Sequence, residues 1–177
     1  MTVAEIAREA DVSEGTVFNY FPTKEDLFYS GMESFEAALL DAVRARPAGE
    51  SVLAAFRRFV LEQSSGLSER AEVIEAAARL IDSSPALQAR EREIDADYTT
   101  ALAELLAEET RAGPDDVEPR VVAAALMGAQ RALVADVRAS ILAGVRGQRL
   151  MRSLRTQLKR GFARLEAGLA DYDVKRE

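Results

Sequence analysis

The groups that could carry chemistry in this chain are hydroxyls, amides, carboxylates and guanidinium groups, because its 177 residues include neither cysteine nor histidine. Zinc sites built on thiolates or imidazoles, disulfides and histidine-based acid–base catalysis are therefore not expected. No nucleophile with a neighbouring base and no glycine-rich phosphate-binding loop is recognisable in the pattern. The sequence therefore predicts a binding protein that is not an enzyme and that uses no cofactor or metal.

Hydrophobic residues make up 48% of the sequence and charged residues 30%, which is typical of a globular protein. Its predominance of alanine, leucine, glutamate and arginine favours helices. Because no apolar run approaches the roughly 18 residues of a membrane span and no signal-peptide pattern is present, a cytoplasmic protein is expected. The net charge of −7 argues against a nucleic-acid coat held by phosphate attraction alone. The bias towards arginine over lysine suits a bacterial coding sequence.

The first residues of the chain carry the start signals of two short helices. Thr2 and Glu5 have the spacing of a capping box, so a first helix is expected over residues 2–9. Ser13 can cap a second helix after a tight turn. Pro22 ends that second helix, because the residue before a proline is pushed out of the helical region. The sequence thus predicts a compact pair of helices at the N-terminus.

Longer helices are expected downstream of this pair. Thr23 and Asp26 mark the start of a third helix, whose apolar face continues without interruption to Ala45. The Pro-Ala-Gly run at 47–49 breaks it. Further helices are expected at about 51–63, 69–82, 85–112, 117–143 and 148–170, followed by a polar tail at 171–177. No segment alternates like a β-strand, so the predicted class is all-α.

The segment from residue 2 to residue 27 reads TVAEIAREADVSEGTVFNYFPTKEDL. It resembles the helix-turn-helix signature of the TetR family of transcriptional regulators, in which an aromatic pair ends the recognition helix and a lysine begins the next helix. The resemblance implies an all-α, TetR-like fold, with an N-terminal helix-turn-helix joined by a long helix to a C-terminal helical ligand-binding and dimerisation domain. The DNA-binding domain would cover residues 1–46 and the second domain residues 47–177.

Carried onto this sequence, the family's motif implies which residues meet DNA. The set is Thr2, Glu14, Gly15, Thr16, Phe18, Asn19, Tyr20 and Lys24. Thr16 and Asn19 are the expected base readers, since a hydroxyl can bind several base edges and an amide can pair with adenine. Tyr20, Lys24 and Thr2 are expected to hold phosphates, which sets the register of the protein on DNA rather than its sequence preference.

Other residues of this segment have a structural interpretation. Val17 and Phe21 are expected to point towards the interior of the protein. Glu14 could accept a hydrogen bond from a cytosine amine, or it could be an ordinary first-turn acid favoured by the helix dipole. Lys24 by itself would be a solvated side chain, and its place two residues beyond the Phe21-Pro22 stop is what supports a DNA contact.

The segment departs from the family's pattern in two respects. The family's DNA-binding module begins with an additional helix, often preceded by a basic arm, whereas this chain starts at the capping Thr2. Residues 1–46 hold four basic and nine acidic side chains, a net charge of −5, which opposes an approach to phosphates. The sequence therefore leaves two interpretations, of which the first is favoured: a native N-terminal segment is not included, or this form binds DNA poorly.

The last two predicted helices each carry an apolar stripe. The first stripe consists of Val122, Leu126, Gln130, Val134, Val137 and Ile141, and is flanked by alanines and glycine. The second stripe consists of Leu150, Leu154, Leu158, Phe162, Leu165 and Leu169. Two such helices from each of two chains could form a four-helix bundle, which predicts a homodimer. The alternative is that both stripes fill the core of a single subunit. The arginines and lysine between them are expected to form a solvated face.

A ligand cavity is expected among the middle helices, as the family's architecture implies. The candidates are polar or aromatic groups set in apolar rows: Phe56, Phe59, Gln63, Tyr98, Leu102, Met127 and Gln130. No arginine or lysine falls inside these rows, so a small, largely apolar effector is expected. The sequence thus predicts a DNA-binding repressor that leaves a palindromic operator when this effector binds. The alternative is a helical ligand-binding dimer that does not bind DNA in this form.

Overall fold

The computed structural model describes residues 2–169, except for the side chains of Glu33 and Leu169, and this part of the chain is helical without any strand. Its helices are α1 (Val3–Glu9), α2 (Glu14–Tyr20), α3 (Lys24–Phe28), α4 (Met32–Arg44), α5 (Val52–Gln63), α6 (Ala71–Ser83), α7 (Pro85–Thr110), α8 (Glu118–Leu142) and α9 (Gly147–Leu169). The predicted all-α class is confirmed for this part of the chain. The predicted tail at 171–177 lies outside the described residues.

Local capping signals set the beginnings of the N-terminal helices as predicted. The amide of Thr2 donates to Glu5 Oε2 at 2.7 Å, and the amide of Glu5 donates to Thr2 Oγ1 at 3.3 Å, which completes a capping box. Ser13 Oγ accepts from the amide of Thr16 at 3.0 Å and starts α2. Each of these bonds satisfies a backbone donor that the first turn of a helix leaves without a partner.

The expectation of one continuous helix from Thr23 to Ala45 is wrong. The structure has two helices there, because α3 ends at Phe28 and α4 begins only at Met32. Between them Gly31 adopts φ +90°, a left-handed conformation that glycine reaches without steric cost. The apolar spacing continues across the break because both helices pack on the same body. Periodicity alone therefore did not reveal the interruption.

Helices α4 to α9 share one hydrophobic core. Leu39 and Val43 of α4 belong to the same buried cluster as Leu102 of α7 and Leu126 of α8. The end of α4 is held by Arg46, a buried side chain that donates to Glu109 Oε2 at 2.6 Å. A buried charge is tolerated only when it is paired in this way. The connecting helix α4 therefore packs as part of the C-terminal body, although the domain boundary expected from the sequence assigns it to residues 1–46.

The apolar stripes of the last two helices are buried inside the chain itself. The first stripe is covered at Val122, Leu126, Val137 and Ile141, and the second is covered at Leu150, Leu154, Leu158 and Phe162. These positions therefore fill the core of a single subunit, which is the alternative that the sequence left open. Leu165 is partly buried against this core, and the side chain of Leu169 lies outside the described residues. A dimer through α8 and α9 would have to use their other faces.

Candidate DNA-binding surface and ligand cavities

A tight turn positions α2 against α1. Asp11 has φ +55°, a left-handed conformation that a short polar residue can adopt in a turn, and the amide of Val12 donates to the carbonyl of Ala7 at 3.0 Å. Ala7 and Val17 are the buried residues of the two helices. Val17 is 9% exposed, so it is the side chain through which α2 is anchored.

Every predicted DNA-contacting residue is exposed. On α2 the residues Gly15 and Asn19 share one side, and Thr16 and Tyr20 share the next, because positions four apart lie one turn above each other. Tyr20 is 76% exposed and Phe18 is 47% exposed, which is unusual for large aromatic side chains. The helix thus presents a surface of hydroxyl, amide and aromatic groups that the described part of this chain does not cover.

Two of the predicted contacts are already engaged in helix caps. The Thr16 hydroxyl lies 2.8 Å from Ser13 Oγ, and Thr2 shares its capping box with Glu5. The backbone hydrogen bond from Thr2 holds the pKa of Glu5 below its ordinary value, so a negative charge stays at the start of α1. Lys24 is open to solvent, with its Nζ atom 3.8 Å from Glu25 Oε1.

The N-terminal helices are tethered to α7 by polar contacts. Arg90 Nε donates to Asp26 Oδ1 at 2.8 Å, while the other Asp26 oxygen caps α3 through Thr23. The hydrogen bonds from Thr23 and the Arg90 guanidinium hold the pKa of Asp26 below its ordinary value. The Tyr29 hydroxyl donates to the carbonyl of Leu87 at 3.2 Å. Helix α7 therefore holds both ends of the short helix α3.

A second set of contacts ties α7 to the start of α4. The Tyr98 hydroxyl donates to the carbonyl of Met32, the first residue of α4. The Tyr98 ring also stacks on Phe35, with ring centroids 6.0 Å apart and an interplanar angle of 24°. Any displacement of α7 would therefore reach α4 directly.

Two cavities lie on either side of Phe35. The first has a volume of about 330 Å³ and is bordered by α5, α6 and α8, with Val60, Ile74, Leu133 and Val137 among its mostly apolar lining. The second has a volume of about 480 Å³ and lies between α4, α7 and α8. Volumes of this size are typical of small-molecule sites. The two cavities have four lining residues in common, which are Phe35, Gln130, Val134 and Arg138.

The structure divides the predicted ligand residues into two groups. Gln63 and Gln130 line the first cavity, and Tyr98, Met127 and Gln130 line the second. Phe56, Phe59 and Leu102 are buried in the hydrophobic core and are not among the lining residues of either cavity. Phe56 packs on Phe162 of α9, and Phe59 packs edge-on against Phe35.

Sequence reasoning missed Phe35 and Arg138 as lining residues. Arg138 follows Gln130 and Val134 at successive steps of four, so the spacing alone could have indicated that it lies on the same face of α8. The expectation that no basic side chain would lie among the lining residues is wrong, since Arg138 lines both cavities, Arg70 lines the first, and Arg92 and Arg131 line the second.

The charge of Arg138 is matched by an acidic partner on α7. Its two terminal nitrogens donate to the carboxylate of Glu91 at 3.0 and 2.5 Å. Burial acts to lower the pKa of Arg138, but Glu91 outweighs this effect and raises it. Burial also raises the pKa of Asp95, which lines the second cavity, and it raises the pKa of Tyr29 to about 12. Arg138 therefore brings no unmatched positive charge to the wall that the two cavities share.

Residues 2–169 contain no group of three or more acidic side chains placed to hold a metal ion. None of the helices in this part of the chain is long and apolar enough to cross a membrane.

Comparisons with known proteins agree with this geometry. A family model described as "Bacterial regulatory proteins, tetR family" matches residues 1–30, and one described as "MftR C-terminal domain" matches residues 50–170. The HTH-type transcriptional regulator TcmR of Streptomyces glaucescens is 30% identical over 132 residues, which cover 70% of this chain and 58% of that protein. The match therefore spans less than two thirds of the relative's length.

Proposed function

Since this chain belongs to the TetR family of bacterial regulatory proteins, we propose that it is a repressor whose helices α1 and α2 bind operator DNA and whose two cavities hold the effector. The observation that carries this proposal is the exposure of α2. All its side chains except Val17 are exposed, including the aromatic rings of Phe18 and Tyr20. Such a surface supports docking into the major groove of DNA.

The proposed roles on DNA follow the chemistry of the exposed groups. Thr16 and Asn19 read bases, while Tyr20, Lys24 and Thr2 hold phosphates. Glu14, Gly15 and Phe18 complete the contact surface by their exposure on the same helix. The charge of Glu5 next to Thr2 opposes a phosphate at that point, so Thr2 would contribute the least of these contacts.

We further propose a homodimer through the outward faces of α8 and α9. Small exposed side chains run along α8 at helical spacing, namely Ala124, Ala132, Ala135 and Ala139, and they would allow another helix to approach closely. They lie on α8 apart from the stripe that is buried inside the chain. Two-fold symmetry of such a dimer would match a palindromic operator.

Effector binding would release the operator through α7 and α4. Both helices contribute to the second cavity, and α7 also holds α3 and the first turn of α4. A ligand that favours a different separation of these helices would change the spacing of the two recognition helices in the dimer. Coupling of this kind is usually worth about 1–3 kcal/mol, or roughly 5- to 150-fold in affinity.

A reciprocal titration tests this proposal. Operator affinity is measured with and without a cavity ligand, and ligand affinity is measured with and without operator. By thermodynamic linkage both affinities must weaken by the same factor. Equal ligand affinities in the two titrations would show that the cavities do not regulate DNA binding.

The second candidate function is a ligand-binding dimer that does not bind DNA in this form. It is favoured by the net charge of −5 over residues 1–46. A mobility-shift assay on the DNA upstream of its own gene, with a scrambled fragment as control, distinguishes the two. A shift of the upstream fragment alone supports the repressor, and no shift at any salt concentration supports the ligand-binding dimer.

A further inference from the structure

Gln130 has a buried acceptor without a donor. Its Oε1 atom is inaccessible to solvent, and no group in the described part of the chain donates a hydrogen bond to it. A buried carbonyl that loses its hydrogen bonds to water and gains none in return destabilises the folded protein. Other amides of this chain do find partners: Gln88 Nε2 donates to the carbonyls of Ile81 and Asp82 at 3.0 and 3.1 Å.

The side chain of Gln130 also lies at a place where a ligand could contact it. Gln130 lies in the wall that the two cavities share, between the turns of α8 that carry Leu126 and Val134. An aliphatic side chain would continue that apolar stripe without the energetic cost of an unpaired acceptor. A ligand in either cavity, or one that spans both, would meet the Gln130 side chain, and a rotation of its amide would turn the covered Oε1 atom towards the ligand.

The neighbours of Gln130 indicate the shape of the molecule it would meet. Phe35 lines both cavities beside Gln130, and its ring is already stacked on Tyr98. An aromatic ring prefers another ring face or edge at such a site. Among the described residues, Arg138 is the one charged residue that lines both cavities, and its charge is matched by Glu91, so the shared wall favours a neutral polar group over an ionic one. Arg70 of the first cavity and Arg92 and Arg131 of the second lie outside this shared wall.

We propose that Gln130 determines the specificity of the effector site, and that the effector is a neutral aromatic molecule whose hydroxyl group donates a hydrogen bond to Gln130 Oε1. This inference rests on the proposed function, because it specifies the ligand of the proposed regulatory site. It adds a hydrogen-bond donor to the largely apolar effector that the sequence predicts. In the unliganded protein Gln130 Oε1 is an unpaired acceptor, and it receives a hydrogen bond when the ligand binds.

The first test measures the stability of the protein without any ligand. Gln130→Leu is expected to raise the midpoint of thermal unfolding by about 2–4 °C, because it removes an unpaired buried acceptor. The matched control Gln88→Leu is expected to lower the midpoint, since it deletes two hydrogen bonds. If Gln130→Leu does not raise the midpoint, the amide serves the fold and the proposal is overturned.

The second test uses two probes of nearly equal shape, 2-naphthol and 2-methoxynaphthalene, of which only the first can donate a hydrogen bond. In calorimetric titrations the wild-type protein is expected to bind 2-naphthol about tenfold more tightly, whereas Gln130→Leu binds the two alike. Equal affinities in the wild type, or binding of neither probe, overturns the donor assignment. Release of operator by a molecule without a donor would still support the proposed function, so the two failures are distinguishable.

Discussion

The N-terminal helices and the C-terminal body of this protein are built on different principles. Helices α1, α2 and α3 have 7, 7 and 5 residues, and the first two bury a single side chain each. Helices α7, α8 and α9 have 26, 25 and 23 residues and surround a continuous core. The N-terminal part depends on caps and a few tethers, and most of its side chains remain available to a partner. The C-terminal part uses its side chains to hold itself together.

This difference has a functional consequence. A unit that is attached through few contacts can change its orientation at low energetic cost, whereas a body with a shared core moves as a whole. The tethers from Arg90 to Asp26 and from Tyr29 to Leu87 join the two parts. Substitutions in the C-terminal body should therefore affect mainly stability, and substitutions on the N-terminal helices should affect mainly DNA recognition. The effect should be largest where the side chain packs against the most of the protein.

The largest effect is expected from Leu158→Glu in the C-terminal core. Leu158 is 3% exposed, and an unpaired carboxylate there should cost more than about 3 kcal/mol, enough to unfold most or all of the protein. Circular dichroism should show a loss of helix. Thr156→Glu is the matched control, because Thr156 is exposed on the same helix and the change should leave the unfolding midpoint nearly unaltered. A folded monomer from Leu158→Glu would instead place this residue in a subunit interface.

The next largest effect is expected on DNA recognition and not on stability. Asn19→Ala should reduce the discrimination between operator and random DNA by about 1–3 kcal/mol, because it removes the proposed base contact. Lys24→Ala should weaken binding to both DNAs alike and reduce the salt slope by about one unit. Fluorescence anisotropy at several salt concentrations measures both quantities. If the two variants lose affinity equally on the two DNAs, the division into base readers and phosphate holders is wrong.

A moderate effect is expected when the cap of α2 is removed. Ser13→Ala deletes the acceptor for the amide of Thr16 and should destabilise the N-terminal helices by about 1 kcal/mol. Hydrogen exchange should accelerate in α1 and α2 and stay unchanged in α7 and α8. Ser13→Asp keeps an acceptor for the amide of Thr16 and should restore the slow hydrogen exchange of α1 and α2. Uniform acceleration along the chain would contradict the separation into two regions.

The smallest effect concerns the tether at Asp26 and its dependence on pH. The pKa of Asp26 in the folded protein is lowered from its ordinary value of 3.8. The ionised carboxylate therefore stabilises the fold fully above pH 3.8, and this stabilisation is lost as the pH falls through the lowered pKa. Asp26→Asn should therefore reduce stability at pH 7 by less than about 1 kcal/mol, as for other partly exposed ion pairs. The difference from the wild type should shrink under acid conditions. A difference that is constant between pH 7 and pH 3 would show that the charge of Asp26 is not involved.

The features that the sequence predicted correctly are those with local causes. Thr2, Ser13 and Thr23 start the first three helices because a cap depends on residues only three positions apart. Val17 faces inwards because a short amphipathic helix has only one apolar side. The exposure of the rest of α2 follows from the same pattern, so the candidate DNA surface could be outlined before the fold was known.

Tertiary structure decided what the apolar stripes pack against and which residues border a cavity. Periodicity shows that Leu154 or Phe56 is buried, but whether the partner is a second subunit, a ligand or the same chain depends on residues distant in sequence. The break at Gly31 likewise depends on how α3 and α4 each meet the body. The position of Arg138 at both cavities depends on its pairing with Glu91 of another helix. A guanidinium that is partly buried destabilises the protein unless the fold places a carboxylate beside it.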